Sequence, residues 1–259
     1  MKNTLKEKML RGEKTLGTFH ELGSASVVEC IGYAGFDYVV IDSEHGPFDV
    51  ETALTFIRSA KLVDLVPLVR VKDSNRNSIL KMLDVGAMGL IIPNINSVEE
   101  VKDLVKYGKY YPVGERGVAP TAGSQFWQSE ASQNGLENFF KIKNEESLLL
   151  PQCETRACLD NIEEIAFIEG VDGIFVGPYD LSTALGRPGQ FDNLEFSSAI
   201  DRIVKACKDA NKFAFVFTGE ETQVKEYYDK GFDSVAYNLD AIMLIQAMKN
   251  AVNNIKMED

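Results

Sequence analysis

The stretch Tyr38-Val39-Val40-Ile41-Asp42-Ser43-Glu44-His45-Gly46-Pro47 carries the pattern that decides the fold. Four apolar residues without polar alternation suit a strand buried on both faces, as in a parallel sheet. A cluster of polar groups and a His-Gly-Pro turn follow at its carboxyl end. The same kind of run recurs along the chain: TLGTF (15–19), LVPLV (65–69), GLII (89–92), LLL (148–150), GIFV (173–176), FAFVF (213–217) and SVAY (234–237). Helical periodicity fills the spaces between, over residues 51–62, 74–83, 194–210, 220–230 and 241–255. Ser97-Val98-Glu99-Glu100 reads as a capping box leading into Val101, Leu104 and Val105 on one face. Asp49, Asp73 and Asp240 are expected N-caps.

Eight strand candidates alternating with helices predict a single-domain α/β chain over 1–259, a (β/α)8 TIM barrel. A doubly wound open sheet is the rival. No GxGxxG follows any strand, which removes the usual support for a dinucleotide fold. Residues 108–147 form a long insertion with the only tryptophan, Trp127, and several Gly and Pro residues. It reads either as a binding loop or as a surface excursion with one packed Trp.

Composition narrows the partners. The 259 residues hold 27 Lys+Arg against 39 Asp+Glu, a net charge of −12, which repels phosphate backbones and disfavours general nucleic-acid binding. No apolar run approaches the roughly 18 residues of a membrane span. The start, MKNTLKEKMLRGEK, lacks the apolar core of a signal peptide. Cys30, Cys153, Cys158 and Cys207 form no CxxC pair, so free thiols in a cytoplasmic protein are expected.

In such a barrel, reactive groups collect at the carboxyl ends of the strands. Glu154 and Asp180 follow the fifth and sixth runs. Two carboxylates in one cleft repel unless one protonates or a cation intervenes, and all-oxygen coordination favours Mg2+ or Mn2+ over structural Zn2+. Alternatively, each acid caps the helix that follows it. Of the two histidines, His45 lies three residues after Asp42, a spacing that permits a carboxylate–imidazole pair or a backbone-satisfied turn. His20 has no evident partner and is read as structural. Arg70 ends the third run and cannot lose its charge. It must meet either a substrate oxygen or a protein acid such as Asp42 or Asp84. Lys72 shares its side of the strand. Gly123-Ser124 in the insertion offers backbone N–H groups to a carboxylate.

Taken together, these pieces resemble the HpcH/HpaI aldolase family of class II pyruvate aldolases. The similarity runs through 37–47, through Leu83-Asp84-Val85-Gly86 to Pro93, and through Gly114-Glu115-Arg116-Gly117-Val118. It continues in Gln152-Cys153-Glu154-Thr155 and ends in 171–182. The resemblance implies a metal-dependent lyase that reversibly cleaves a 4-hydroxy-2-oxo acid into pyruvate and an aldehyde. It implies a divalent cation on Glu154 and Asp180, Mg2+ or Mn2+ first and Co2+ or Zn2+ behind them. His45, supported by Asp42 or Asp84, would move protons, and Arg70 would stabilise the enolate. Gln152, Ser124, Gly177 and Pro178 would line the pyruvate subsite. A homo-oligomer is also implied, a hexamer built from pairs that exchange a C-terminal helix.

Two departures bear on substrate choice. Many relatives carry an Arg after the Arg-Gly-Val of the insertion, where this chain runs from Ala119 to Trp127 without one. Its absence points to a neutral aldehyde rather than a carboxylated one. Lys72 stands where relatives often have proline. The alternatives are a citramalyl- or malyl-CoA-type lyase, which needs a basic cluster that is not evident, and a non-catalytic 2-oxo-acid binding barrel. A Schiff-base aldolase would have only Lys72 to use, and the loops after the last two strands lack a glycine-rich phosphate cradle.

Overall fold

A computed structural model describes residues 2–256. Its eight strands are β1 (Thr15–His20), β2 (Tyr38–Asp42), β3 (Val66–Arg70), β4 (Gly89–Ile92), β5 (Leu148–Cys153), β6 (Gly173–Val176), β7 (Phe213–Thr218) and β8 (Ser234–Leu239). They close into one barrel in chain order, all parallel, with β8 paired back to β1. The barrel expectation holds, and the open-sheet rival is excluded.

The unbroken apolar character of the runs now has its cause. Alternate residues point in and out, and both directions are dry. Phe19, Tyr38, Val40, Leu68, Ile91 and Phe215 fill the interior. Val39, Ile41, Val69, Leu90, Val176 and Val235 pack outward against the helices. The bottom of the barrel is tied by a buried ion network. Asp172 takes Lys109 Nζ at 2.8 Å and Lys6 Nζ at 2.6 Å, and also accepts the Leu149 N–H at 2.9 Å.

The helix ends follow the expected chemistry in part. Asp49 accepts from the Thr52 N–H at 2.9 Å. Ser97 accepts from the Glu100 N–H at 3.1 Å, but Glu100 returns to the Asn96 N–H, one residue upstream of an ordinary capping box. Asn75, not Asp73, is the N-cap of the helix Arg76–Asp84; Asp73 makes a local turn to the Asn75 N–H. Asp240 opens the helix Asp240–Lys256, but its carboxylate is shared with the β1 end. The helices Arg156–Asp160 and Ile162–Phe167 are additions to the expected set, too short to announce a period.

The 108–147 insertion is less irregular than its composition suggests. It holds a helix, Leu136–Glu146, anchored by buried Phe139. Before it, Gln125, Phe126 and Trp127 run in left-handed backbone through a single 3-10 turn. Trp127 stays substantially exposed and packs into no core. The four cysteines are free thiols, three of them buried. No helix among the described residues is long and apolar enough to cross a membrane.

Gly17 marks the tightest point of the barrel wall. A Cβ there would collide with the ring of Tyr38, which is fully buried and receives a hydrogen bond from Ser234 Oγ at 3.1 Å. Gly17→Ala is therefore expected to cost about 1–3 kcal/mol of stability through overpacking, measured as a lowered urea midpoint with an unchanged slope.

Candidate active site

The carboxyl ends of the strands surround a cavity of about 550 Å3. Its floor is apolar, set by Phe19, Phe175 and Phe217, and its walls carry the polar groups. Because neighbouring strands are in register, the end residues meet predictably. Asp42 on β2 is the direct partner of Arg70 on β3.

That pair dominates the mouth. Arg70 Nε donates to Asp42 Oδ1 at 2.9 Å and Nη2 to Oδ2 at 2.5 Å. The guanidinium also lies 3.3 Å from Glu44 Oε2 and 4.9 Å from the centre of the Phe19 ring. Burial pushes the Asp42 carboxyl up, but its hydrogen bond with Arg70 and the guanidinium charge outweigh that and hold it below the usual carboxylate range. Asp42 is thus committed to Arg70 and not to His45. The expected carboxylate–imidazole pair does not form, because bidentate geometry with a permanent cation is the stronger claim on a carboxylate. His45 lines the same cavity with its side chain 68% exposed, and its nearest acid is Glu44 at 4.0 Å.

On the far side of the barrel, Glu154 extends from the end of β5. Its Oε1 accepts the Asn94 N–H at 2.6 Å, and its Oε2 accepts from Gln152 Nε2. Burial raises its pKa; Asn94 and Gln152 oppose this, while the charges of Glu44 and Asp180 add to it. Gly177 exists for clearance here, since a Cβ would lie 2.6 Å from Glu154 Oε2. Asp180 sits in the first turn of the helix Pro178–Ala184, exposed at the cavity and making no cap bond. Among the described residues no group of three or more His, Cys, Asp or Glu is arranged around a common metal position. Glu154 and Asp180 offer two carboxylates that could hold a hard divalent cation, which would then keep coordination positions for water and substrate.

Asp42, His45, Arg70, Gln152, Gly177, Pro178 and Asp180 therefore converge on one cavity, with Glu154 bonded to its wall. Asp84 and Ser124 do not. Asp84 is paired with Arg116 at 3.0 Å, and its carbonyl accepts the Gly123 N–H at 2.7 Å. Ser124 Oγ is buried in its own turn, accepting the Thr121 N–H at 2.8 Å. Both belong to the packing of the insertion against the helix Arg76–Asp84. Lys72 lies beyond β3, exposed and outside the cavity lining.

Two features were not anticipated. His20 is fully buried, and its Nδ1 meets Asp240 Oδ2 at 2.7 Å. It is structural as expected, but it does have a partner, supplied from 220 residues away. Glu21, the next residue, lines the cavity with its carboxyl in hydrogen-bond contact with Asp42. Burial and that contact push its pKa up to about 8. The signal for Glu21 was available, since it follows its strand's apolar run just as the other mouth residues follow theirs.

Comparison with known proteins agrees with this architecture. The HpcH/HpaI aldolase/citrate lyase family model matches residues 15–247. A hydroxypyruvate/pyruvate aldolase of Roseobacter denitrificans is 32% identical over 250 residues, covering 96% of this chain and 95% of that protein. A 4-hydroxy-2-oxo-heptane-1,7-dioate aldolase of Shigella sonnei is 31% identical over 248 residues, covering 95% and 92%. The crystal structure of an HpcH/HpaI aldolase from Desulfitobacterium hafniense superposes with a TM-score of 0.89 at 26% identity, covering 97% of this chain and 96% of that one.

Glu21 generates a pH signature. Its pKa rises from 4.5 in the unfolded chain to about 8 in the folded one. The folded state then holds a proton that the unfolded state releases, so stability declines as pH climbs through that window. Glu21→Gln is expected to flatten the decline between about pH 5 and pH 8 relative to wild type, read from thermal midpoints across that range. An identical slope in both proteins would contradict the assignment.

Proposed function

This chain belongs to the HpcH/HpaI aldolase/citrate lyase family, and on that premise we propose that it is a divalent-metal-dependent pyruvate aldolase. It would reversibly cleave a 4-hydroxy-2-oxo acid into pyruvate and an aldehyde. One observation carries the reading: a permanently charged guanidinium and a pair of uncompensated acids face each other across a single apolar-floored mouth. Carbon–carbon bond cleavage next to a ketone develops negative charge on the ketone oxygen. Catalysis then requires fixed positive charge at that oxygen.

Glu154 and Asp180 would hold Mg2+ or Mn2+, which supplies Lewis acidity towards the keto and carboxylate oxygens of pyruvate. Arg70 is oriented by Asp42 so that its remaining N–H groups can serve a developing oxyanion. Orientation of this kind costs no reorganisation during the reaction. Gln152 donates an amide N–H to the Glu154 carboxylate and so positions it at the cavity wall. Gly177 and Pro178 keep that wall flat. His45, exposed at the rim, exchanges protons between the pyruvate methyl group and solvent.

The CoA-dependent alternative is disfavoured by charge. Arg70 is the one lysine or arginine lining the cavity among the described residues, and it is held by Asp42. We also propose a homo-oligomer, because the helix Asp240–Lys256 exposes Ile245, Met248 and Val252, which a second copy would cover.

The decisive assay needs no aldehyde. Pyruvate in D2O with Mn2+ and the purified protein should lose its methyl protons to solvent exchange. Chelation should stop the exchange and added Mn2+ should restore it. Glu154→Gln and Arg70→Ala should each slow it about 100-fold or more. Undiminished exchange in both variants, or none in wild type with any divalent cation, would overturn the proposal.

A further inference from the structure

Glu21 has no role in the chemistry above, yet it stands in the same cavity as Arg70 and Asp180. It follows β1, which lies diametrically across the eight-stranded barrel from β5 and Glu154. A substrate whose pyruvate half occupies the Glu154 side must extend its other half towards this wall.

The carboxyl is held in place. The Glu21 N–H donates to Asp240 Oδ1 at 2.9 Å, and the other oxygen of Asp240 is taken by His20 Nδ1 at 2.7 Å. The β1 end is therefore bound to the start of the last helix, which fixes the backbone from which Glu21 projects. Its side chain touches the Asp42 carboxyl. Two carboxyl groups in contact must share a proton. Asp42 already accepts two charge-assisted bonds from Arg70 and keeps its charge. The proton therefore resides on Glu21 and points at Asp42, leaving the second oxygen of Glu21 as a neutral acceptor facing the cavity.

The rest of this wall offers no welcome to an anion. Arg70 is engaged by Asp42, with Glu44 at 3.3 Å. Asn238 and Tyr179 add neutral polar groups, and Leu239 and Ile242 add apolar surface. A carboxylate on the incoming aldehyde would meet Asp42 and Glu44, and among the described residues no lysine and no arginine besides Arg70 lines the cavity to offset them.

We infer that Glu21 is the specificity-determining residue for the aldehyde, selecting small neutral aldehydes that bear a hydroxyl group over unsubstituted or carboxylated ones. The hydroxyl donates to the free oxygen of Glu21. This inference rests on the pyruvate-aldolase reading and adds the class of acceptor to it. It separates this chain from its Shigella sonnei relative, whose name specifies a dicarboxylic substrate.

The test compares kcat/KM for glyceraldehyde, propanal and succinic semialdehyde, each with pyruvate and Mn2+, in wild type, Glu21→Ala and Glu21→Gln. Wild type should favour glyceraldehyde over both others by about tenfold or more, the discrimination expected of one hydrogen bond made only to the correct substrate. Glu21→Ala should bring the glyceraldehyde-to-propanal ratio close to one. Glu21→Gln should retain it, because the amide can donate to Asp42 and still accept the hydroxyl. A merely structural role would lower all three substrates together and leave the ratios untouched, and that result would overturn the inference. So would a wild type that takes succinic semialdehyde as readily as glyceraldehyde, which decides the matter even if Glu21→Ala does not fold. Methyl-proton exchange of pyruvate alone reports on the underlying aldolase reading, so the two failures are distinguishable.

Discussion

A guanidinium that cannot shed its charge ends β3, and the barrel mouth is organised around its neutralisation. The strand register places Asp42 directly beside Arg70, so the bidentate pair follows from β2–β3 pairing rather than from a flexible search. Once Asp42 is committed there, its neighbours are constrained in turn. The pKa of Glu21 is raised by its burial and by Asp42, His45 is released to the rim, and Glu44 stands as a second counter-charge. One ion pair thus bears on three further side chains.

The opposite side of the mouth has the reverse problem, with acids in excess. Glu154 is half satisfied by the Asn94 N–H and Gln152, yet the charges of Glu44 and Asp180 still bear on it. The cavity therefore has a polarity of its own, with a neutralised cation on the β3 side and unneutralised anions on the β5–β6 side. A cation on the β5–β6 side would balance that polarity, and a polyanion would not.

Away from the mouth, sequence features with a chemical look turn out to hold the scaffold. Arg116 stacks 4.6 Å over Tyr110 and pairs with Asp84, binding the long insertion to the helix that precedes β4. Ser124 closes a turn in the same region. His20 packs against Phe48 and Phe56 and joins Asp240, linking β1 to the last helix behind the site. The short helices between β5 and β6 and the helix inside the insertion lacked an extended apolar period, so local pattern did not separate them from loop.

The amino-acid sequence by itself determined the eight strands, because residues buried on both faces leave an unbroken apolar signature that owes nothing to distant contacts. It also determined which strand ends carry acids, the arginine and the rim histidine, since those positions follow directly from where the runs stop. Only the tertiary structure decided who pairs with whom. Asp42 had His45 nearby in sequence and took Arg70, and His20 found Asp240 from the far end of the chain. Burial and the neighbouring Asp42 raise the pKa of Glu21. Pairing depends on distance and desolvation in three dimensions. Closure of β8 onto β1 brought together residues that no local spacing connects.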